Sequence, residues 1–186
     1  MKLILASKSP RRKQILEELG VNFQIVPANG DELVDDSLPP EEIVESIALA
    51  KAKEVFDKNP DCAVIGADTI VVLNGEILQK PHDKAHAENM LKSLSGKSHQ
   101  VFTGYALLTK DRCISGAEQS LVVFNELSQS TIDEYVASGL CMDKAGAYGV
   151  QDGYNLVKEV KGSYYNVVGF PKELFSVLLQ DFEFEK

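Results

Sequence analysis

Apolar residues follow two different spacings along the chain, and these spacings predict both strands and helices. Nearly continuous apolar runs at 3–6 and 63–73 are typical of buried strands. Steps of three and four residues predict an amphipathic helix that begins near Pro10, and a longer helix from Pro40 to about Asp57. The pattern therefore predicts a chain in which strands and helices alternate.

The rest of the chain continues this mixture. Further strands are predicted at 22–26, 98–108, 114–124 and 156–160. Asp83 is expected to be the N-cap of a helix that runs to Leu94, and Ser130 the N-cap of a short helix that ends at Gly139. Apolar residues around Phe175 predict a last helix.

Asp68 interrupts the apolar run at 63–73. A carboxylate costs several kcal/mol to bury without partners, on the order of the penalties for unpaired buried charges. Asp68 is therefore expected either to pair with a cation or to lie where the strand opens into a site. The alternative is that it only ends the strand or caps a turn.

Asn74-Gly75 follows this strand and predicts a tight β-hairpin. A two-residue turn pairs Leu73 with Glu76, Val72 with Ile77, Val71 with Leu78, Ile70 with Gln79, and Thr69 with Lys80. We therefore expect Lys80 to lie beside Thr69 and next to Asp68, which brings an ammonium, a hydroxyl and a carboxylate together.

The first helix carries positive charge where a helix favours negative charge. Ser9 is a good N-cap, Pro10 suits the first helical position and Gly20 suits the residue after the helix. Arg11 and Arg12 then occupy the first turn, although the helix dipole favours acidic residues there. We expect an anion at this helix start; the alternative is that both side chains bend into water.

Lys51 falls on the apolar stripe of the second helix. Its side chain either extends past the core into water or meets an anion at the edge of the core.

Residues 143–151 are rich in glycine and alanine and end in the amide of Gln151. Such a loop permits close approach to a ligand, and the amide offers a donor and an acceptor to a base edge; the alternative is an ordinary loop.

Metal ligands are less clearly indicated. Asp31 and Glu32 belong to an acidic stretch at 31–45, and one of them could reach a metal ion. His82 and His86 are four residues apart, but no third ligand has suitable spacing. We expect these histidines to face solvent.

Composition excludes several classes of function. The chain has 186 residues, 44% of them hydrophobic, and a net charge of -9, so an extended cationic surface for nucleic acid is not expected. No apolar run approaches the ~20 residues of a membrane span, and the three cysteines form neither a disulfide framework nor a zinc pattern. We expect a cytoplasmic protein that binds a small anion, which a divalent metal could accompany.

Several motifs together resemble those of the Maf family. They occur in the order of that family and cover nearly the whole chain: Ser7-Lys8-Ser9-Pro10-Arg11-Arg12, Gly66-Ala67-Asp68-Thr69, Lys80-Pro81, Leu94-Ser95-Gly96, Asp143-Lys144-Ala145-Gly146-Ala147-Tyr148-Gly149 and Gly162-Ser163-Tyr164. The resemblance implies an elongated α/β fold like that of inosine triphosphate pyrophosphatases (Maf/Ham type), in which helices flank a mixed twisted sheet with a central cleft. It also implies a single domain over residues 1–186, with two lobes around that cleft, and a homodimer.

The resemblance also assigns roles to individual residues. Asp68 matches the carboxylate that accepts a proton, and with Glu32 it would hold Mg²⁺ or Mn²⁺. The residues around the phosphates would be Ser7, Arg11, Arg12, Lys51 and Lys80, with Glu32 lining the same cleft. The positions that mark the subgroup acting on dTTP and UTP would be Arg12, Thr69 and Gln151; a sister subgroup acts on 7-methyl-GTP.

The activity implied is hydrolysis of a nucleoside triphosphate to the monophosphate and pyrophosphate. Gln151 would then meet the imide edge of uracil or thymine, and Asp68 would act as general base, metal ligand or both. The alternative is a nucleotide-binding regulator of cell division or septum formation that acts without turnover.

Overall fold

The computed structural model describes residues 1–30 and 37–184. The strands are β1 (Leu3–Leu5), β2 (Gln24–Ile25), β3 (Ala63–Leu73), β4 (Glu76–Leu78), β5 (Ser98–Leu108), β6 (Cys113–Phe124) and β7 (Val157–Lys161). The α-helices are α1 (Pro10–Glu18), α2 (Pro40–Phe56), α3 (Lys84–Leu94), α4 (Gln129–Ser138), α5 (Tyr164–Val168) and α6 (Lys172–Leu178). None of the helices in this part of the chain is long and apolar enough to cross a membrane.

The strands form one seven-stranded mixed sheet in the order β2-β1-β3-β5-β6-β7, and β4 pairs with β3. β1 pairs in parallel with both β2 and β3, as strands joined through a helix commonly do. The hairpin of β3 with β4 and the pairing of β6 with β7 are antiparallel. The predicted mixture of strands and helices is confirmed.

The chain divides into two compact units. Unit 1 comprises Met1–Asp68, Thr103–Glu118 and Gly169–Lys186, and unit 2 comprises Thr69–Phe102 and Gln119–Val168. A core of unit 1 gathers small and branched residues of β1, α2, β3 and β5, together with the residue after β1: Ile4, Ala6, Ala48, Ala52, Val55, Val64, Ala106 and Leu108. The core of unit 2 is larger and contains the buried aromatic residues Phe124, Tyr135 and Tyr148.

Helix ends follow local chemistry at most of the predicted positions. Ser9 caps α1 and Asp83 caps α3, each by accepting a hydrogen bond from the backbone N–H three residues later. The predicted cap at Ser130 is wrong. Ser128 is the N-cap of α4, because its side chain accepts from the N–H of Thr131, whereas the Ser130 hydroxyl donates to Glu134.

Candidate functional site

Asp68 and Lys51 form an ion pair within unit 1. Nζ of Lys51 lies 2.7 Å from Oδ1 of Asp68, and the two side chains are only 17% and 13% exposed. Asp68 and Thr69 are the two residues of β3 that are not fully buried. The expectation that Asp68 pairs with a cation is confirmed, and the anion at the edge of the core that Lys51 meets is this carboxylate.

Two glycines let α2 lie close to the strands and so bring Lys51 to Asp68. A Cβ atom on Gly66 would lie 2.1 Å from the carbonyl oxygen of Ala48, and one on Gly104 would lie 2.0 Å from that of Val44. Neither position has room for a side chain unless the helix moves away. Lys51 follows Ala48 by one helical turn, so this close packing sets the reach of its ammonium group.

The start of α1 places Ser7, Arg11 and Arg12 together in unit 1. Arg12 donates from Nε to the carbonyl of Gly169 at 2.9 Å and from Nη1 to Oγ of Ser7 at 3.1 Å. The Ser7 hydroxyl also accepts from the N–H of Ser9, at 3.2 Å. No acidic residue occupies the first turn of α1. The predicted concentration of positive charge at this helix start is confirmed; the anion itself stays a prediction.

The hairpin that carries Thr69 and Lys80 is confirmed in part. Val71 pairs with Leu78, Val72 with Ile77, and Leu73 with Glu76, as the Asn-Gly turn predicts. β4 ends at Leu78, however, so the predicted strand is too long, and the ladder does not extend to the expected pairing of Thr69 with Lys80. The carbonyl of Gln79 accepts a hydrogen bond from the N–H of Gly146 instead of continuing the predicted strand.

A network of buried polar groups organises the loop at 143–152 in unit 2. Nζ of Lys144 donates to Oδ1 of Asp143 at 3.0 Å and to the carbonyl of Leu140, and it lies 3.4 Å from Oδ2 of Asp152. The side chains of Lys144 and Asp152 are each 8% exposed. Three partners match the three donors of an ammonium group, which is how a buried lysine charge is tolerated.

Tyr135 of α4 completes this network. Its hydroxyl donates to Oδ2 of Asp152 at 2.6 Å and accepts from the N–H of Gly149 at 3.0 Å. Burial, reinforced by the bond to Asp152, raises the pKa of Tyr135 well above its ordinary value, so the phenol stays protonated and remains a donor. Gln151 lies on this loop as an exposed residue.

The other metal and histidine predictions have mixed outcomes. The described residues, 1–30 and 37–184, contain no group of three or more potential metal ligands. His82 is exposed, as expected, whereas His86 is half-buried; the His82 ring contacts Asp83 and packs against the ring of His86. Asp31 and Glu32 lie outside the described residues.

Comparison with known proteins identifies the family. The family described as Maf-like protein matches residues 2–182. The chain belongs to the Maf family. Proteins named dTTP/UTP pyrophosphatase are similar to it: one from Bacillus anthracis is 48% identical over 171 residues, covering 91% of this chain and 90% of that protein. One from Bacillus thuringiensis subsp. konkukian is 47% identical over the same shares of both chains.

Solved structures support the predicted fold. A HAM1 protein from Coxiella burnetii superimposes with a TM-score of 0.58 at 14% identity, covering 98% of this chain and 100% of that one. The Ham1 protein of Staphylococcus aureus gives a TM-score of 0.54 at 14% identity, covering 97% and 99%. The expectation that this Maf-family chain has a mixed α/β fold like that of Ham1 proteins is confirmed.

Sequence reasoning missed two features of the candidate site. It assigned Lys80 as the neighbour of Asp68 and did not predict that Lys51 pairs with Asp68, because β-register can be counted from a turn whereas helix-to-strand contacts cannot. It also gave no role to Tyr135, since a tyrosine on an apolar stripe resembles an ordinary core residue. A polar pair at Asp143-Lys144 beside small residues was the only signal that this loop holds a buried charge.

Proposed function

We propose that this protein hydrolyses dTTP and UTP to the nucleoside monophosphate and pyrophosphate. Two findings support this reaction: the chain belongs to the Maf family, and relatives named dTTP/UTP pyrophosphatase are 47–48% identical to it. The structural observation that carries the proposal is the largely buried Asp68 carboxylate held 2.7 Å from Lys51. A low-exposure carboxylate with a fixed orientation suits proton transfer from an attacking water.

In the proposed reaction, water attacks the α-phosphorus and gives its proton to Asp68. The new P–O bond forms as the bond between the α-phosphorus and the bridging oxygen breaks, and pyrophosphate leaves with the bonding electrons. Lys51 orients the carboxylate and, with Lys80, offsets negative charge that develops on the phosphates. Arg11 and Arg12, supported by Ser7, hold the phosphate chain near the start of α1.

The proposed reaction uses a divalent cation bound at Asp68, which is the one ligand of the predicted pair that the structure describes. Mg²⁺ commonly binds through one or two carboxylates together with substrate phosphates rather than in an all-protein cage. Asp68 supplies one such carboxylate, and the family resemblance suggests Glu32 as a second. Mg²⁺ or Mn²⁺ bound there would neutralise phosphate charge.

We assign base recognition to Gln151. Arg12 and Thr69 are the other positions that mark the subgroup acting on dTTP and UTP. A uracil or thymine imide presents a carbonyl acceptor beside an N–H donor, and one carboxamide satisfies both.

We further propose that the active protein is cytoplasmic and forms a homodimer, as the family resemblance implies. Light scattering during gel filtration tests the dimer, which would have about twice the 20.4 kDa mass of one chain.

The decisive experiment is a pyrophosphate-release assay with dTTP, UTP, CTP, ATP and 7-methyl-GTP, each with Mg²⁺ and with Mn²⁺. We expect dTTP and UTP to be preferred, and Asp68→Asn to lower kcat by roughly 10³-fold. Faster turnover of 7-methyl-GTP than of UTP would contradict the specificity. Nucleotide binding without release of pyrophosphate would favour the regulator of septum formation instead.

A further inference from the structure

Gln151 lies in a tight turn whose two ends are tied to each other. The N–H of Asp152 donates to the carbonyl of Gly149 at 3.1 Å, which closes a four-residue β-turn over 149–152. Gln151 is the third residue of this turn. Its side chain therefore projects from a backbone segment whose direction depends on how firmly both ends of the turn are held.

A single oxygen atom contacts both ends of that turn. The phenol oxygen of Tyr135 accepts from the N–H of Gly149 at 3.0 Å and donates to Oδ2 of Asp152 at 2.6 Å. Tyr135 is 0% exposed and is itself fixed in the core of unit 2. Its hydroxyl thus connects the turn to α4, a regular element, through both of the hydrogen bonds that a phenol readily forms.

The surrounding packing leaves this arrangement little freedom. A Cβ atom on Gly149 would lie 2.6 Å from Oδ2 of Asp152 and 2.7 Å from Cε of Lys144. Lys144 in turn holds the Asp152 carboxylate by charge at 3.4 Å. The carboxylate that Tyr135 contacts is therefore itself held in place, so the phenol acts on a rigid partner.

We propose that Tyr135 is a positioning residue for base recognition, because its hydroxyl clamps the turn that presents Gln151. This inference rests on the proposed function, in which Gln151 contacts the uracil or thymine base. Tyr135 does not touch the substrate in this account. It sets the position and direction of the Gln151 amide, and small displacements of an amide that must satisfy both a donor and an acceptor weaken recognition.

Tyr135→Phe tests the clamp, since it removes only the hydroxyl. We expect kcat/KM for UTP to fall by roughly 10-fold, mostly because KM rises, by analogy with other sites that recognise polar groups of a substrate through hydrogen bonds. The inhibition constant of inorganic tripolyphosphate, which has the phosphate chain but no base, should stay within about two-fold. A general structural lesion would weaken both, and that result would overturn the proposal.

Tyr154→Phe is the matched control. Tyr154 packs against Tyr135 with ring centroids 4.9 Å apart, so the same substitution removes a hydroxyl from the same aromatic pair without removing the clamp. We expect kcat/KM for UTP to stay within about two-fold of the unmodified protein. A loss equal to that of Tyr135→Phe would show that the effect is not specific to the clamp.

Gln151→Ala separates failure of the clamp from failure of the proposed function. If Gln151→Ala leaves kcat/KM for UTP unchanged, the assignment of Gln151 itself is wrong. If it lowers kcat/KM and Tyr135→Phe does not, only the clamp is wrong. If Tyr135 acts through Gln151, the double variant should match Gln151→Ala alone, whereas independent effects would multiply.

A measurement on the unmodified protein covers the case in which Tyr135→Phe does not fold. The N–H of Gly149 should exchange with solvent at least roughly 100-fold more slowly than an unstructured amide, because it is hydrogen-bonded to a buried phenol. Exchange at the unstructured rate would overturn the clamp.

Discussion

Within the described residues, each unit holds one lysine–aspartate pair in which both side chains are largely buried, and these two pairs are built differently. Lys51 and Asp68 approach to 2.7 Å with side chains 17% and 13% exposed. Lys144 and Asp152 are 3.4 Å apart, but each is only 8% exposed. The longer pair is the more buried one, and its carboxylate also accepts the Tyr135 hydroxyl.

The difference separates a pair suited to chemistry from a pair suited to support. A carboxylate that exchanges protons needs some access to water and substrate, which Asp68 retains. A buried pair needs additional hydrogen bonds to offset desolvation, and Lys144 has them. We therefore expect substitutions at the first pair to change activity and substitutions at the second to change stability and loop position.

The largest stability effect is expected at Asp152. Asp152→Ala leaves the Lys144 ammonium buried without this carboxylate, which should lower the free energy of unfolding by about 3–5 kcal/mol in urea titration. Asp143→Ala is the matched control, because it removes another carboxylate from the same lysine, but one that is 55% exposed. Equal losses for the two variants would show that burial does not distinguish these contacts.

A second test disturbs the Lys51–Asp68 pair without touching either residue. Gly66→Ala places a methyl group 2.1 Å from the carbonyl of Ala48, so α2 must shift outward. We expect about 1–3 kcal/mol of destabilisation and a fall in kcat of roughly 10-fold as Lys51 is displaced. Gly30→Ala serves as control, since a Cβ there meets only the flexible side chain of Glu54. Unchanged kcat in Gly66→Ala would argue that the reach of Lys51 is not set by this packing.

Acid should destabilise the protein through His99, which belongs to neither of the two lysine–aspartate pairs. Burial lowers the pKa of His99 from its ordinary 6.5 to about 4, so the folded state binds fewer protons than the unfolded state between these values. Stability contributed by neutral His99 is complete above pH 6.5 and is lost as pH falls towards 4; the loss is about 2 kcal/mol at pH 5. Urea titrations at pH 7 and pH 5 measure this change.

The matched variant is His99→Gln, which retains a polar group towards Tyr148 but does not titrate. It should flatten the dependence on pH in this range. A dependence that stays equally steep would show that groups other than His99 cause the acid sensitivity.

The smallest effect is expected for a surface pair that is shorter than both buried pairs. Nζ of Lys92 lies 2.6 Å from Oε1 of Glu88, but the side chains are 47% and 34% exposed. Solvent screens such a pair, so Lys92→Ala should leave Tm unchanged within measurement error. A clear fall in Tm would show that distance outweighs burial in ranking the three pairs.

Local chemistry made much of the fold predictable from sequence. Ser9, Asp83 and the Asn74-Gly75 turn act on neighbours a few residues away, so their caps and hairpin register could be read directly. The prediction that Ser130 is the N-cap of α4 was wrong because another serine two residues earlier serves as the cap. Competing side chains of the same type are hard to rank without backbone geometry.

Contacts between distant segments were the part that sequence patterns could not supply. Lys51 and Asp68 were each identified as unusual, but their pairing depends on how closely α2 packs, which Gly66 and Gly104 permit. Tyr135 and Asp152 are joined only because α4 and a loop meet in the core. Neither residue carried a periodic signal that distinguished it from its neighbours.

The Tyr135 clamp has a consequence for how substrate range can evolve. Every codon for tyrosine becomes a codon for phenylalanine through one nucleotide change, and that change removes the oxygen atom that joins Gly149 to Asp152. If base selectivity depends on this atom, a lineage can broaden its range of nucleotides by point mutation while every phosphate-binding side chain stays the same. The reverse mutation, from phenylalanine to tyrosine, also needs only one nucleotide change. Base selectivity at this turn can therefore be gained and lost repeatedly.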